Sequence, residues 1–96
     1  MNWRPRHTRR DRNQQRIIDD LRKLGAVVWD LADHGGEVLD LLVFWRGKAV
    51  PVEVKQPGHK HDLTKGEADS IIALGCVGVE AIIATSTEDV IAHWEE

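Results

Sequence analysis

The sequence has a single cysteine, Cys76, which excludes an internal disulfide and any zinc site built on several thiolates. It has no apolar run near the ~20 residues that a membrane span needs. No apolar segment follows Met1-Asn2-Trp3-Arg4-Pro5-Arg6, which points away from a secretory signal. Internal repeats and low-complexity tracts are also missing. What is there fits one folded domain: 96 residues, 42% hydrophobic and 30% charged. A chain with these absences is expected in the cytoplasm.

Net charge is −3, and its distribution says more than its size. Residues 1–16 carry Arg4, Arg6, Arg9, Arg10, Arg12 and Arg16 against Asp11 alone, a net of +5. The other 7 basic and 15 acidic residues leave −8 on the rest. A basic N-terminal arm over residues 1–9 is expected, leading into a single domain over 10–96. Arginine pairs with phosphate oxygens through a planar fork of donors, so the arm suits a polyphosphate partner, although a solvated arm has the same composition. The acidic body argues against a protein that merely coats nucleic acid.

Ile17, Ile18, Leu21 and Leu24 form the stripe of an amphipathic helix from about Arg10 to Leu24, and Gly25 is placed to end it. Traced backwards, the same line reaches Gln14 and then Arg10. Ala26–Leu31 reads as a strand and His34-Gly35-Gly36 as a turn. Val38–Trp45 is apolar on both parities apart from Asp40, the pattern of a strand covered on both faces. Arg46-Gly47-Lys48 is a hairpin connection, followed by a strand over Ala49–Lys55. Pro51 cannot donate to a ladder, so that strand should start late, lie at an edge or bulge there. Thr64-Lys65-Gly66-Glu67 has the spacing of a capping box, opening a helix through Ala68, Ile71, Ile72 and Leu74 to Gly75. A strand over Glu80–Ala84 and a helix containing Val90, Ile91 and Trp94, capped from within Thr85–Glu88, complete the order α-β-β-β-α-β-α. The expected architecture is α/β with a mixed central sheet.

Three residues carry chemistry. Asp40 is a carboxylate in an apolar strand, which is costly unless it is paired or bound to a cation. Its bland counterpart is a strand-end carboxylate bonded to a helix start or to Lys55. Glu53 and Lys55 share one face of their strand, which by itself suits an exposed ion pair equally well. Together they are more specific. A hairpin brings Asp40 and Glu53 across from one another, so two hard oxygen ligands converge as Mg²⁺ prefers, with a lysine beside them. Those are the components of phosphodiester hydrolysis.

Asp40-Leu41-Leu42-Val43, Glu53-Val54-Lys55, Leu63-Thr64-x-x-Glu67, the opening Arg10-Asp11-x-Asn13-Gln14 and the helix-ending Gly25 together resemble the PD-(D/E)XK nuclease superfamily. Within it, the pattern is most similar to the VRR-NUC group of small phage and bacterial nucleases, from about Arg9 to the last strand. The resemblance implies a restriction-endonuclease-like αβββαβ core, like that of Holliday-junction resolvases. It also implies Mg²⁺- or Mn²⁺-dependent cleavage of DNA, with junctions or flaps as candidate substrates. Asp40 and Glu53 would ligate the metal with the Val54 carbonyl, and Lys55 would position the attacking water. Gln14 stands where many relatives have Glu, and would join the catalytic residues by orienting a metal-bound water. Two departures are visible: Leu39 precedes Asp40 in place of Pro, and neutral Gln14 would weaken a second metal.

Arg9, Arg10 and Arg12, with Lys60 and Thr64, are candidate DNA contacts, although Thr64 is first a helix cap and His59-Lys60-His61 suit a solvated loop. Trp29, Trp45 and Trp94 read as core or interface residues. So small a domain covers little duplex, which favours a homodimer. A catalytically silent DNA-binding module of the same fold is the alternative. A purely structural Asp40–Glu53–Lys55 cluster is the other.

Overall fold

The apolar stripe of the first segment does what its spacing predicts. In the computed structural model, which describes residues 9–34 and 38–95 (side chains of 9–11 and 34 excepted), helix α1 spans Arg9–Lys23. Ile17, Ile18 and Leu21 are almost completely buried, whereas Leu24, beyond the last helical turn, is half exposed. Gly25 takes φ 98°, and Ala26 N–H returns to the Leu21 carbonyl at 3.1 Å, closing the helix as a left-handed residue should. The basic arm and the Gly35-Gly36 turn lie outside the described residues, apart from the first residue of α1.

Strands β1 (Val27–Asp30), β2 (Leu41–Trp45), β3 (Lys48–Val54) and β4 (Ile82–Ala84) form one sheet in the order β1-β2-β3-β4. The first three are antiparallel, and β4 joins β3 in parallel, so the sheet is mixed as expected. A parallel neighbour requires a crossover, which helix α2 (Lys65–Cys76) supplies. Helix α3 (Thr87–Trp94) follows β4, its N-cap Ser86 accepting from Asp89 N–H. A short 3₁₀ turn, Ala32–His34, follows β1, where no sequence signal marks one.

Alternation sorts the sheet into unequal faces. Val28, Leu41, Val43, Val50, Val52 and Val54 point to one side, where α1 and α3 bury them. The other face carries Val27, Trp29, Leu42, Phe44 and Pro51. Here the expectation that β2 is covered on both faces needs correction: Leu41 and Val43 are fully buried, but Leu42, Phe44 and Trp45 only partly. Helix α2 covers this face incompletely. Ser70 is its one buried residue; Ala68, Ile71 and Leu74 of the predicted stripe are partly buried beside it, whereas Ile72 is 64% exposed and falls off that face. A cleft of about 430 Å³ runs between Leu42 and Pro51 of the sheet and Ser70, Ala73 and Leu74 of α2.

Pro51 sits inside β3, opposite Leu42, although β3 is an interior strand. The pairing with β4 begins only at Val52, so at Pro51 the strand still has an open edge on that side. The β2–β3 hairpin closes through Arg46 (φ 50°) and Gly47 (φ 77°), the two successive positive values that a tight hairpin of matching twist demands. The Arg46 guanidinium lies over the Trp45 ring, 4.3 Å from its centre.

Candidate active site

Strand register sets the site. Leu41 pairs with Val52, and one step further along the same ladder Asp40 stands opposite Glu53. Asp40 lies just before β2 rather than within it, so the strand-end placement is the observed one. Its backbone continues the β1 ladder, accepting from Leu31 N–H at 2.8 Å. Its carboxylate turns inward and accepts from Val54 N–H at 2.9 Å. That bond fixes the orientation of a side chain that is only 6% exposed.

Glu53 is 1% exposed, the deepest carboxylate of the described residues. Lys55, two residues on and on the same face, places its ammonium 3.5 Å from Glu53 Oε2. The backbone of Lys55 is held as firmly: its N–H donates to Ala84 O at 2.9 Å, and its carbonyl accepts from Asn13 Nδ2 at 2.9 Å. The fold thus gathers Asp40, Glu53 and Lys55 at one end of the β2–β3 pair. A buried acid-base cluster of this kind is costly unless it is well paired or has a function that needs it.

Glu67 joins the cluster from the first turn of α2. The expected capping box is present: Thr64 Oγ1 accepts from Glu67 N–H, and Glu67 Oε1 accepts from Thr64 N–H at 2.9 Å. The same Oε1 also accepts from Lys55 Nζ at 2.8 Å. Burial pushes the Glu67 carboxyl pKa upward. The Lys55 hydrogen bond, the Thr64 N–H, a side-chain hydrogen bond with Glu53 and the Lys55 charge together outweigh it, lowering the pKa to about 2. The capping spacing announces Glu67 as a cap; nothing in the linear sequence announces its contact with Lys55.

Gln14 is 5% exposed, buried on α1 as its helical line predicts. Its Nε2 donates to Asp30 Oδ1 at 3.0 Å, and the same oxygen accepts from Ala32 N–H at 3.2 Å. Asp30, at the end of β1, was not among the residues singled out by sequence, because a carboxylate at a strand end is unremarkable there. Asn13, which the sequence marks only through its motif, also reaches the Thr85 carbonyl at 3.3 Å. Bridges between α1, β3 and β4 are invisible before the elements are placed.

Of the candidate DNA contacts, Arg12 is exposed on α1, beside a groove that Arg16, Gln14 and Asp30 also line. The side chains of Arg9 and Arg10 lie outside the described residues. Thr64 is the α2 N-cap. Lys60, in the loop after β3, stands 3.6 Å from Asp89. Trp45 and Trp94 meet edge to face, and Trp94 Nε1 donates to the Trp45 carbonyl at 2.8 Å. Trp29 is not in the core: it is 54% exposed and touches Phe44 edge-on.

No family model matches the sequence, and no curated protein does. Among solved structures, a chain described as a VRR_NUC domain superposes with a TM-score of 0.68. The match covers 93% of this chain and 97% of that one, at 22% identity. With so much of both chains superposed, the chain has the fold of a VRR-NUC domain.

Proposed function

We propose that this chain is a metal-dependent endodeoxyribonuclease of the PD-(D/E)XK type, hydrolysing DNA phosphodiester bonds with Mg²⁺ or Mn²⁺. Branched or flap DNA is the proposed substrate class, and a bacterial or phage-infected cytoplasm the proposed setting. The observation that carries the reading is the convergence of Asp40, Glu53 and Lys55 at one sheet end in this fold. No helix of the described residues is long and apolar enough to cross a membrane.

The donor set fits a hard cation. No group of three His, Cys, Asp or Glu side chains gathers as a ready metal cage among the described residues. Mg²⁺ does not require one: it takes one or two carboxylates and completes its octahedron with waters and phosphate oxygens. Asp40 and Glu53 would hold it, with the Val54 carbonyl as a further ligand. When bound, the cation lowers the pKa of a water and polarises the scissile phosphate.

The chain's own groups do the rest. The Val54 N–H keeps the Asp40 carboxylate in one orientation, so it need not reorganise during the reaction. Lys55 orients the attacking water and offsets negative charge that grows on the phosphoryl oxygens. Exposed Arg12, with Arg9 and Arg10, would meet flanking phosphates. Lys60 and the exposed N-terminus of α2 at Thr64 lie beyond the catalytic strand and would meet another part of the backbone.

Cleavage of supercoiled plasmid and of four-way and flapped duplexes in Mg²⁺ and Mn²⁺ tests the reading. Loss of cleavage in Asp40→Ala, Glu53→Gln and Lys55→Ala, with DNA binding retained, is the expected result. Binding without cleavage by the unaltered chain in either metal would leave the second reading, a silent DNA-binding module. That reading draws on Gln14, a neutral residue whose amide is committed to Asp30.

Self-association belongs to the same proposal. Val27 (57% exposed), Trp29 and Val38 leave an apolar area on the sheet face away from α1, and a second copy would cover it.

A further inference from the structure

Two carboxylates from different elements compete for the Lys55 ammonium, and the competition is unequal. Glu67 Oε1 is 2.8 Å away and Glu53 Oε2 is 3.5 Å away. Glu67 is itself fixed independently of the lysine, because the same oxygen accepts the Thr64 N–H that closes the capping box. A lysine ammonium is a compact charge on a flexible stem and moves to the strongest anion in reach. With Glu53 as its sole acidic partner it would close on the buried carboxylate and neutralise it. A cation and an ammonium cannot both occupy the same carboxylate oxygens without repulsion.

We propose that Glu67 is a positioning residue that draws the Lys55 ammonium towards α2 and so keeps it from closing on Glu53. The anchor stands on a helix whose first turn it also caps, so the ammonium is placed by the fold rather than by substrate. The consequence for metal binding and cleavage rests on the nuclease reading above; the placement of the ammonium does not.

The test uses the full chain with Mn²⁺ as probe, followed by paramagnetic resonance, and ¹⁵N-labelled lysine to follow the Lys55 ammonium. Melting curves first establish that each variant is folded at the assay temperature. Glu67→Ala should weaken Mn²⁺ binding about tenfold as the ammonium falls onto Glu53. Adding Lys55→Met to Glu67→Ala should restore the affinity, which a merely structural role for Glu67 would not produce. Glu67→Gln keeps an acceptor for both Lys55 and Thr64 and should fall between wild type and Glu67→Ala. Unchanged Mn²⁺ affinity in Glu67→Ala, or no recovery in the double variant, overturns the proposal. If the unaltered chain binds no Mn²⁺, the metal-dependent nuclease reading fails. The Lys55 ¹⁵N resonance then decides the placement: a shift in Glu67→Ala supports it, and an unmoved resonance overturns it.

Discussion

Asn13 Nδ2 donates to the carbonyl of Lys55 at 2.9 Å and to that of Thr85 at 3.3 Å, tying α1 to the adjacent ends of β3 and β4. The strand that carries Glu53 is thereby fixed just past its end, at Lys55, by a side chain 42 positions away. Asn13→Ala removes both bonds and should destabilise the fold by about 1–3 kcal/mol in urea unfolding. Asn13→Asp should cost more than Asn13→Ala, because a carboxylate would then face two carbonyl oxygens with no donor. A less harmful Asp would show that the amide donates little.

The lowered Glu67 pKa gives a pH dependence of definite sign. The folded-state value is about 2 against an ordinary 4.5, so folding favours the ionised form. This contribution is complete above pH 4.5 and is lost as pH falls towards 2. Glu67→Gln should flatten the dependence of unfolding free energy on pH across that interval. Asp89 is lowered as well: burial raises its pKa, but the Thr85 N–H, the Thr85 hydroxyl and Lys60 outweigh it. Asp89→Asn should therefore flatten the acid limb again, and equal slopes in all three proteins would remove both assignments.

Much of this was legible before any coordinates. Residue periodicity marks α1, because Ile17, Ile18 and Leu21 bury one stripe and Gly25 supplies a positive φ that ends it. The hairpin and its register follow from Arg46-Gly47 and from alternating valines, and that register alone carries Asp40 opposite Glu53. Helix α2 was less legible. Its cap is encoded locally in four residues, but which face it buries depends on the sheet beneath, and Ser70 rather than Ile72 faces inward. Glu67, Asn13 and Asp30 were missed as site residues for one reason. Their partners lie 12, 42 and 16 positions away, and no local spacing rule connects them.

Gln14 offers a sharp test of the charge balance beside Asp30. Its Nε2 supplies a hydrogen to Asp30 from a position only 5% exposed. Gln14→Glu would remove that donor and set a second carboxylate about 3 Å from the first. The variant should melt lower than wild type at neutral pH and approach it as pH drops and the pair takes up a shared proton. Melting temperatures that differ equally at pH 5 and pH 8 would show that shape, not charge, is what the position needs.

The proposed dimer has a clear readout. Trp29 presents 54% of its surface beside Val27 on the face that α1 does not cover. If a second copy occupies that face, sedimentation at micromolar concentrations should show a dimer, and Trp29→Glu should shift it towards monomer without loss of helix or sheet. A monomer throughout that range would remove self-association from the proposal and leave the apolar face to another partner.

Cation binding should be visible in stability before any DNA is added. Asp40 and Glu53 are buried carboxylates at 6% and 1% exposure, with one ammonium close to Glu53. A cation that binds the native site and not the unfolded chain stabilises by about 2.7 kcal/mol when present at 100 times its dissociation constant. Mg²⁺ and Mn²⁺ should therefore raise the melting temperature in a concentration-dependent way. Glu53→Gln removes one ligand charge and should abolish most of that response. The same substitution separates the metal site from a purely structural ion-pair cluster. In a structural cluster the neutral residue would weaken the fold sharply, with or without added cation. In a metal site its main effect is to make stability indifferent to Mg²⁺. Melting curves of the two proteins, each with chelator and with Mg²⁺, distinguish these outcomes in one experiment.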